Sequence, residues 1–246
     1  MDRAVYRRMA EQEERHWWFA ARRGIVERLI GRFLEKRADP ALLEIGCGTG
    51  GNLKLLQQFG RVDACEYDAE ARAVATAKSG IAVAEGALPD RIPAPDSSCD
   101  MIVLLDVLEH VEADTASLAA IRRKLRPEGR LLVTVPALPW LWSAHDSKHH
   151  HFRRYTKASL RETAEAAGLR VLETGYFNTL LFPLIVGARI AKRLGGIDSA
   201  DDAMPAAPVN AVLRRIFGLE RHLVGRITLP IGASVYMVAT PQQAAL

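Results

Sequence analysis

The chain has 246 residues, 49% of them hydrophobic and 25% charged, enough to bury one full α/β core and too few for two complete domains. Its formal net charge of +4 is scattered apart from a mildly basic stretch between Arg3 and Arg37, so no footprint for nucleic acid is expected. Cys47, Cys65 and Cys99 lie far apart with no C-x-x-C pair, which argues against a disulfide framework or a cysteine-rich zinc site and fits a reducing, cytoplasmic setting.

The opening MDRAVYRRMAEQEERHWWFAARR is charged and has no apolar core, so it does not read as a secretory leader. Residues 1–38 read as a helical N-terminal lid. HWWF sets Trp17, Trp18 and Phe19 ahead of an amphipathic helix from Arg22 to Lys36, in which Val26, Leu29, Ile30, Phe33 and Leu34 recur at helical spacing. These aromatics either fold over a cleft or staple the helix to a sheet, and Trp18 is the one assigned to an acceptor. Asp39-Pro40 ends the helix.

Ala41 to Ile45 then reads as a strand breaking into the turn GCGTGG, followed by a helix from Asn52 to Phe59. Val62 to Glu66 is a second strand, Ala69 to Lys78 an alanine-rich helix and Ile81 to Ala84 a third strand. The strand Met101 to Leu105, a helix across Ala113 to Leu125, the turn Pro127-Glu128-Gly129 and the strand Arg130 to Val135 continue the alternation. Such alternation predicts an α/β fold with a doubly wound, mostly parallel sheet and right-handed crossovers.

After Pro136 comes ALPWLWSAHDSKHHHFRRY, which looks too polar and irregular for core. Thr156 is placed to cap a helix ending near Gly168. Arg170 to Phe177 and Ala233 to Ala239 look like the last two strands, separated by a helical insertion at about 178–230. The insertion carries two apolar helical stretches, Leu180 to Leu194 and Val209 to Val224, joined by GGIDSADDAMPAAP, which reads as a mobile linker. The longest apolar stretch, Thr179 to Ala188, contains Pro183 and falls short of the roughly 20 residues that span a bilayer. Phe182, Leu184, Ile185, Val186 and Ile190 lie alongside Arg189, Lys192 and Arg193. This pattern suits packing on the domain or on a second copy in a homodimer; peripheral contact with an anionic membrane or cover for a lipid-like acceptor is the other reading. The whole chain, 1–246, reads as a single domain, with 41–135 the cofactor-binding half and 136–246 the acceptor-binding half.

The glycine-rich turn parses two ways. Gly46, Gly48 and Gly51 satisfy G-x-G-x-x-G, the dinucleotide fingerprint, while Glu44, Gly46, Gly48 and Gly50 satisfy E-x-G-x-G-x-G. Either lets backbone approach a ligand closely. Glu44 separates them: a carboxylate there is unwelcome beside a pyrophosphate, whereas the sulfonium and α-amino groups of S-adenosylmethionine are favoured by it. Glu66, at the end of the second strand, is positioned to accept both ribose hydroxyls, a role common to both cofactors.

LLEIGCGTGG, the acidic Glu66 and DMIVLLDVLEHV from Asp100 to Val111 resemble, in order and spacing, class I S-adenosylmethionine-dependent methyltransferases of the UbiE-like and methyltransferase-11/12 type. The resemblance runs from Ala41 to Val135. It implies a Rossmann-like methyltransferase fold with seven strands, S-adenosyl-L-methionine as cofactor, and a pocket in which the peptide around Glu85, Gly86, Ala87 and Leu88 lines the adenine while Leu105, Asp106 and His110 border the methionine part. The cofactor set is then Glu44, Gly46, Cys47, Gly48, Gly50, Glu66, Tyr67, Ala87, Leu88, Leu105 and Asp106. Many relatives have an acidic residue where this chain has Ala87, so adenine recognition here falls to backbone amides and apolar contact from Ala87 and Leu88.

Methyl transfer in that family is an in-line displacement, for which the protein holds the reactants in line and excludes water. Where the acceptor is a hydroxyl, a histidine can take its proton. His110, His145 and His151 are the catalytic candidates, and Trp18, His149, Arg153, Arg154 and Tyr155 the acceptor-binding ones, with His150 and Asp146 in the same polar cluster. The pattern H-D-x(4)-H-F-R-R-Y-T resembles a loop in a subgroup associated with glycan or lipid modification. Three consecutive histidine side chains cannot all face one ion without a special loop, so no metal site is expected. The implied function is O-methylation of a small or lipid-linked metabolite. Competing readings are a cofactor-binding module without turnover and an NAD-dependent oxidoreductase, the latter tolerating Glu44→Ala.

Overall fold

Seven strands form one sheet in the order β3-β2-β1-β4-β5-β7-β6. They are β1 (Ala41–Ile45), β2 (Arg61–Glu66), β3 (Ala84–Glu85), β4 (Cys99–Leu105), β5 (Leu125–Pro136), β6 (Leu169–Phe177) and β7 (Ser234–Pro241). The first five pair in parallel, and β7 lies antiparallel between β5 and β6. This is the mostly parallel, doubly wound sheet that the alternating pattern predicts. The computed structural model describes residues 3–34, 38–195 and 204–242. The expected helix end at Lys36, the basic Arg37 and most of the linker within GGIDSADDAMPAAP lie outside the described residues.

The apolar runs of the inner strands are explained by burial on both faces of the sheet. Leu42, Met101, Val103 and Leu132 face α2 (Trp17–Phe33), α3 (Leu53–Leu56), α4 (Ala69–Ser79) and α9 (Ala207–Leu219). Leu43, Ile45, Ile102, Leu104, Leu131 and Val133 face α5 (Asp114–Lys124) and α7 (Lys157–Ala166). The remaining helices are α1 (Arg3–Gln12), α6 (Ala144–Lys148) and α8 (Phe182–Gly195). Glu220, buried just after α9, anchors the insertion: its Oε1 accepts the Thr179 and Leu180 amides at 2.7 Å each.

Several elements differ from the sequence reading, each for a local reason. Trp17, Trp18 and Phe19 form the first turn of α2 instead of preceding it, because the His16 ring caps the helix by accepting the Trp18 amide at 3.3 Å. The helix after the glycine turn is a single turn; only Leu53 and Leu56 are buried, and Arg61 must return to donate to the Pro40 carbonyl. The third strand keeps only Ala84 and Glu85, since the Ile81 and Val83 amides are taken by the Ser79 and Thr76 hydroxyls. Pro127-Glu128-Gly129 is absorbed as a bulge within β5, opposite Cys99 and Met101.

The segment after Pro136 is a larger correction. Ala137, Leu138, Leu141 and Tyr155 belong to the core, because the Leu138 amide donates to the Tyr155 carbonyl at 2.8 Å and the Tyr155 amide to the Pro136 carbonyl at 3.0 Å. Those bonds hold the ends of the polar loop together at the carboxyl end of β5. Thr156 caps α7 as expected, its Oγ1 accepting the Ser159 amide at 3.1 Å. Thr156→Ala is expected to cost about 1 kcal/mol, read as a melting temperature lowered by about 2–4 °C.

Candidate functional site

A cleft of about 800 Å³ opens at the carboxyl ends of the strands, where chain order reverses between β1 and β4. The glycine turn after β1 and the turn after β4 touch across it: a Cβ on Gly46, at φ +71°, would stand 2.7 Å from Val107 Cγ2. Gly48 faces the cleft at φ +55°, and a Cβ there would meet nothing nearer than Met9 Cε at 3.9 Å, so a side chain would occupy the ligand space itself. Gly50 turns away and packs on Ala75 of α4. Cys47, Gly48, Glu66, Tyr67, Ala87, Leu88, Leu105 and Asp106 all reach the wall, as does Gly46.

Glu66 is 5% exposed. Its Oε2 accepts the Gly48 amide at 2.9 Å; its Oε1 accepts the Asp68 amide at 3.0 Å and the Tyr6 hydroxyl at 3.2 Å. The carboxylate therefore braces the glycine turn while facing the cleft, and the phenol of α1 sits where a hydroxyl donor would bind. Glu44 lies behind the wall, not on it. Its Oε1 accepts from Asn52 Nδ2 at 2.9 Å, Asn52 lines the cleft, and its Oε2 has no hydrogen-bond partner. Burial pushes the Glu44 carboxyl up to about 7, against the Asn52 bond and the Arg22 charge.

On the adenine side, the Ala87 amide is already committed, donating to the Arg91 carbonyl at 2.8 Å. That corrects the expectation that both neighbouring amides read a base; only Leu88 is left for it. At the end of β4, Asp106 adopts φ +59°, a conformation that concentrates at functional positions. Its amide donates to the Thr134 carbonyl at 2.9 Å, and its carboxylate pairs with Arg22 of α2. The Trp18 ring lies 4.7 Å from the same guanidinium.

The acceptor side gathers four imidazoles. His110, His145, His149 and His151 all line the cleft, with His110 against His151 at 4.6 Å and His145 against His149 at 4.1 Å. Burial, then His151 and His149, pull His110 down to about 3, so its ring is neutral and a weak proton acceptor. His150 is exposed and turns away. Asp146, fully buried, accepts Arg154 Nε at 2.7 Å and contacts His151 Nδ1 at 2.9 Å; these bonds hold its carboxyl well below the usual range against the cost of burial.

Trp18, His149 and Arg154 thus reach the cleft, whereas Arg153 and Tyr155 do not. Asp114, at the start of α5, draws both away: its Oδ2 lies 2.5 Å from Arg153 Nη1 and accepts the Tyr155 hydroxyl at 2.8 Å. Tyr155 is core, 2% exposed.

Residues 16–174 match the family model described as a methyltransferase domain. The chain belongs to this methyltransferase family. It is 30% identical over 165 residues to a "Probable S-adenosylmethionine-dependent methyltransferase" of Mycolicibacterium smegmatis, covering 65% of this chain and 62% of that protein. A Mycobacterium tuberculosis protein of the same description is 31% identical over 123 residues, covering 49% of this chain and 43% of its own. The chain therefore spans less than two thirds of these curated relatives. A chain of the complex between the Haloferax volcanii Trm112 methyltransferase activator and a methyltransferase superimposes with TM-score 0.65 at 19% identity, covering 99% of this chain and 96% of that one; this likeness speaks for the fold.

Membership in the methyltransferase family removes the oxidoreductase reading of the glycines. The residues also fit the donor that such enzymes use: Gly48 leaves the space that a ligand needs, Glu66 offers a carboxylate to hydroxyls, and Glu44 Oε2 is a buried acceptor lacking a donor. Sequence reasoning missed Tyr6, Arg22 and Glu109 as site residues, and it placed Asp146 in the polar cluster without the partners that it holds. For Arg22 the one signal was its spacing of four from Trp18, which places both on one helix face. Nothing local marked Tyr6.

Proposed function

We propose that this methyltransferase-family chain transfers the methyl group of S-adenosylmethionine to an oxygen of a small or lipid-linked acceptor. The observation that carries the reading is one cleft lined both by the glycine turn with Glu66 and by four imidazoles with Arg154. S-adenosylmethionine supplies an electrophilic methyl on a cationic sulfur. Glu66 would accept ribose hydroxyls, Leu88 would lie against the base, and Glu44 with Asn52 would favour the positive amino-acid end. Tyr6, Met9 and Trp18 line the cleft and would help to exclude water from the reacting groups. On the acceptor side, Arg154 donates Nε to Asp146 and Nη1 to the Ala137 carbonyl, so it is held rigidly for an anionic or hydroxyl group.

Leu184 of α8 is 59% exposed and yet lines the cleft. Ile190, Val209 and Val212 are also exposed on the insertion, and these apolar side chains outside the core support a lipid-linked acceptor and contact of the insertion with a membrane surface. No helix among the described residues is long and apolar enough to cross a membrane. Incubating the purified chain with methyl-labelled donor and a metabolite extract, followed by mass spectrometry, is expected to show label on an oxygen of one acceptor class. Absence of any transfer, together with no binding of S-adenosylhomocysteine, would overturn the reading.

Glu44 makes a pH dependence. A carboxyl raised from its usual 4.5 to about 7 contributes stability to the free fold that is complete below its unfolded value and lost as pH rises through 7. A cation bound nearby reverses that preference by favouring the ionised form. Donor affinity is therefore expected to rise about tenfold between about pH 6 and pH 8, and Glu44→Gln to flatten the rise, as read by isothermal titration calorimetry. A wild-type affinity independent of pH across this range would remove the electrostatic role of Glu44.

A further inference from the structure

Glu109, His110 and His151 each offer a ligand atom, and these atoms lie within 4.8 Å of one another on the cleft wall. The first two come from the short helical turn after β4 and the third from the loop after α6, so tertiary folding brings the trio together. His151 is already oriented for such a role. Its Nδ1 contacts Asp146 Oδ1 at 2.9 Å, and Asp146 is fixed in turn by the Ser143 amide at 2.8 Å and by Arg154. A carboxylate in that place puts the imidazole proton on Nδ1 and leaves the Nε2 lone pair for a cation, the arrangement usual behind metal-bound histidines.

Glu109 supplies a second, independent indication. It is 1% exposed, and its Oε2 has no hydrogen-bond partner. Asp106 has Arg22 and Asp146 has Arg154, whereas Glu109 pairs with no cation among the described residues. A buried carboxylate oxygen left in this way costs free energy unless a donor or a cation meets it.

We propose that Glu109, His110 and His151 bind one divalent transition-metal ion whose remaining coordination positions open into the cleft. Two imidazoles and one carboxylate are a donor set for zinc-like ions with a position left for substrate. Tetrahedral bonds of about 2 Å set ligand atoms roughly 3.3 Å apart, which lies within the bound on the present separations. An acceptor hydroxyl bound at the open position would pass its proton more readily to a water in the cleft, leaving an alkoxide held on the ion to attack the methyl carbon as the sulfur leaves. The ion site does not depend on the methyl donor.

The test uses cobalt(II) alone with the chelator-treated, tag-free full-length chain. Uptake of one ion is expected, with a visible absorption distinct from that of aqueous cobalt. Glu109→Gln, which keeps shape, and His151→Gln are each expected to weaken uptake at least about tenfold, while the exposed His150→Ala retains it. Binding of S-adenosylhomocysteine and the thermal melt, measured in parallel, report whether the fold survives and judge the donor reading separately. If one variant fails to fold, the other decides. No stoichiometric uptake by the wild type, uptake unchanged in the folded variants, or uptake lost only in His150→Ala would each overturn the proposal.

Discussion

Arg22→Met is expected to lower stability by about 3 kcal/mol. Arg22 is 5% exposed and pairs with Asp106, whose side chain is 21% exposed. Breaking a buried pair from one side leaves a charge that has lost both its water and its partner, and the residual exposure of Asp106 places the cost at the lower end of the usual range. Methionine retains most of the packing under Trp18, so the loss reports charge rather than volume. Urea denaturation near neutral pH measures it. Combining Arg22→Met with Asp106→Asn is expected to recover much of the loss, because neither charge is then stranded. A single variant within about 0.5 kcal/mol of wild type, the range of ordinary surface substitutions, would mean that the pair is not formed in solution.

What was legible in the sequence was local. The glycine turn, Glu66 and the alternation of apolar positions could be read because turn chemistry and the period of a strand act over a few residues. The reach of Arg22 to Asp106 and of Tyr6 to Glu66 could not, since both cross from an N-terminal helix to the sheet. In the loop HDSKHHHFRRY the composition marked a polar centre correctly but not its partners. Asp146 goes inward and captures Arg154 and His151, while Asp114, from another element, removes Arg153 and Tyr155. Consecutive histidines alone do not make a metal site. His150 indeed points out, and the neighbours that His151 meets instead are Glu109 and His110 from the turn after β4.

The N-terminal segment is held from two sides. Glu13, 4% exposed, accepts Thr49 Oγ1 of the glycine turn at 2.9 Å and pairs with Lys78 of α4 at 2.5 Å, and Arg22 holds the start of α2 to β4. Ahead of both attachments in the chain, the Tyr6 hydroxyl lies on Glu66. Entry of a donor would thus exchange one hydroxyl for others at the same carboxylate, without unfastening the segment at Glu13 or Arg22.

That exchange sets the last prediction. Glu66→Ala is expected to weaken S-adenosylhomocysteine about a hundredfold, since two hydrogen bonds to a charged acceptor are worth at least about 3 kcal/mol together. Part of this loss would come from the turn itself, because Glu66 also receives the Gly48 and Asp68 amides. Tyr6→Phe separates the two contributions. It removes only the phenol's competing bond to Oε1, leaves the turn intact, and is expected to tighten binding about tenfold, the worth of one hydrogen bond to a charged acceptor at this scale. Calorimetric titration of both variants supplies the comparison. Wild-type affinity in Glu66→Ala would sink the ribose role, and weaker binding in Tyr6→Phe would mean that the phenol serves the bound ligand instead of competing with it.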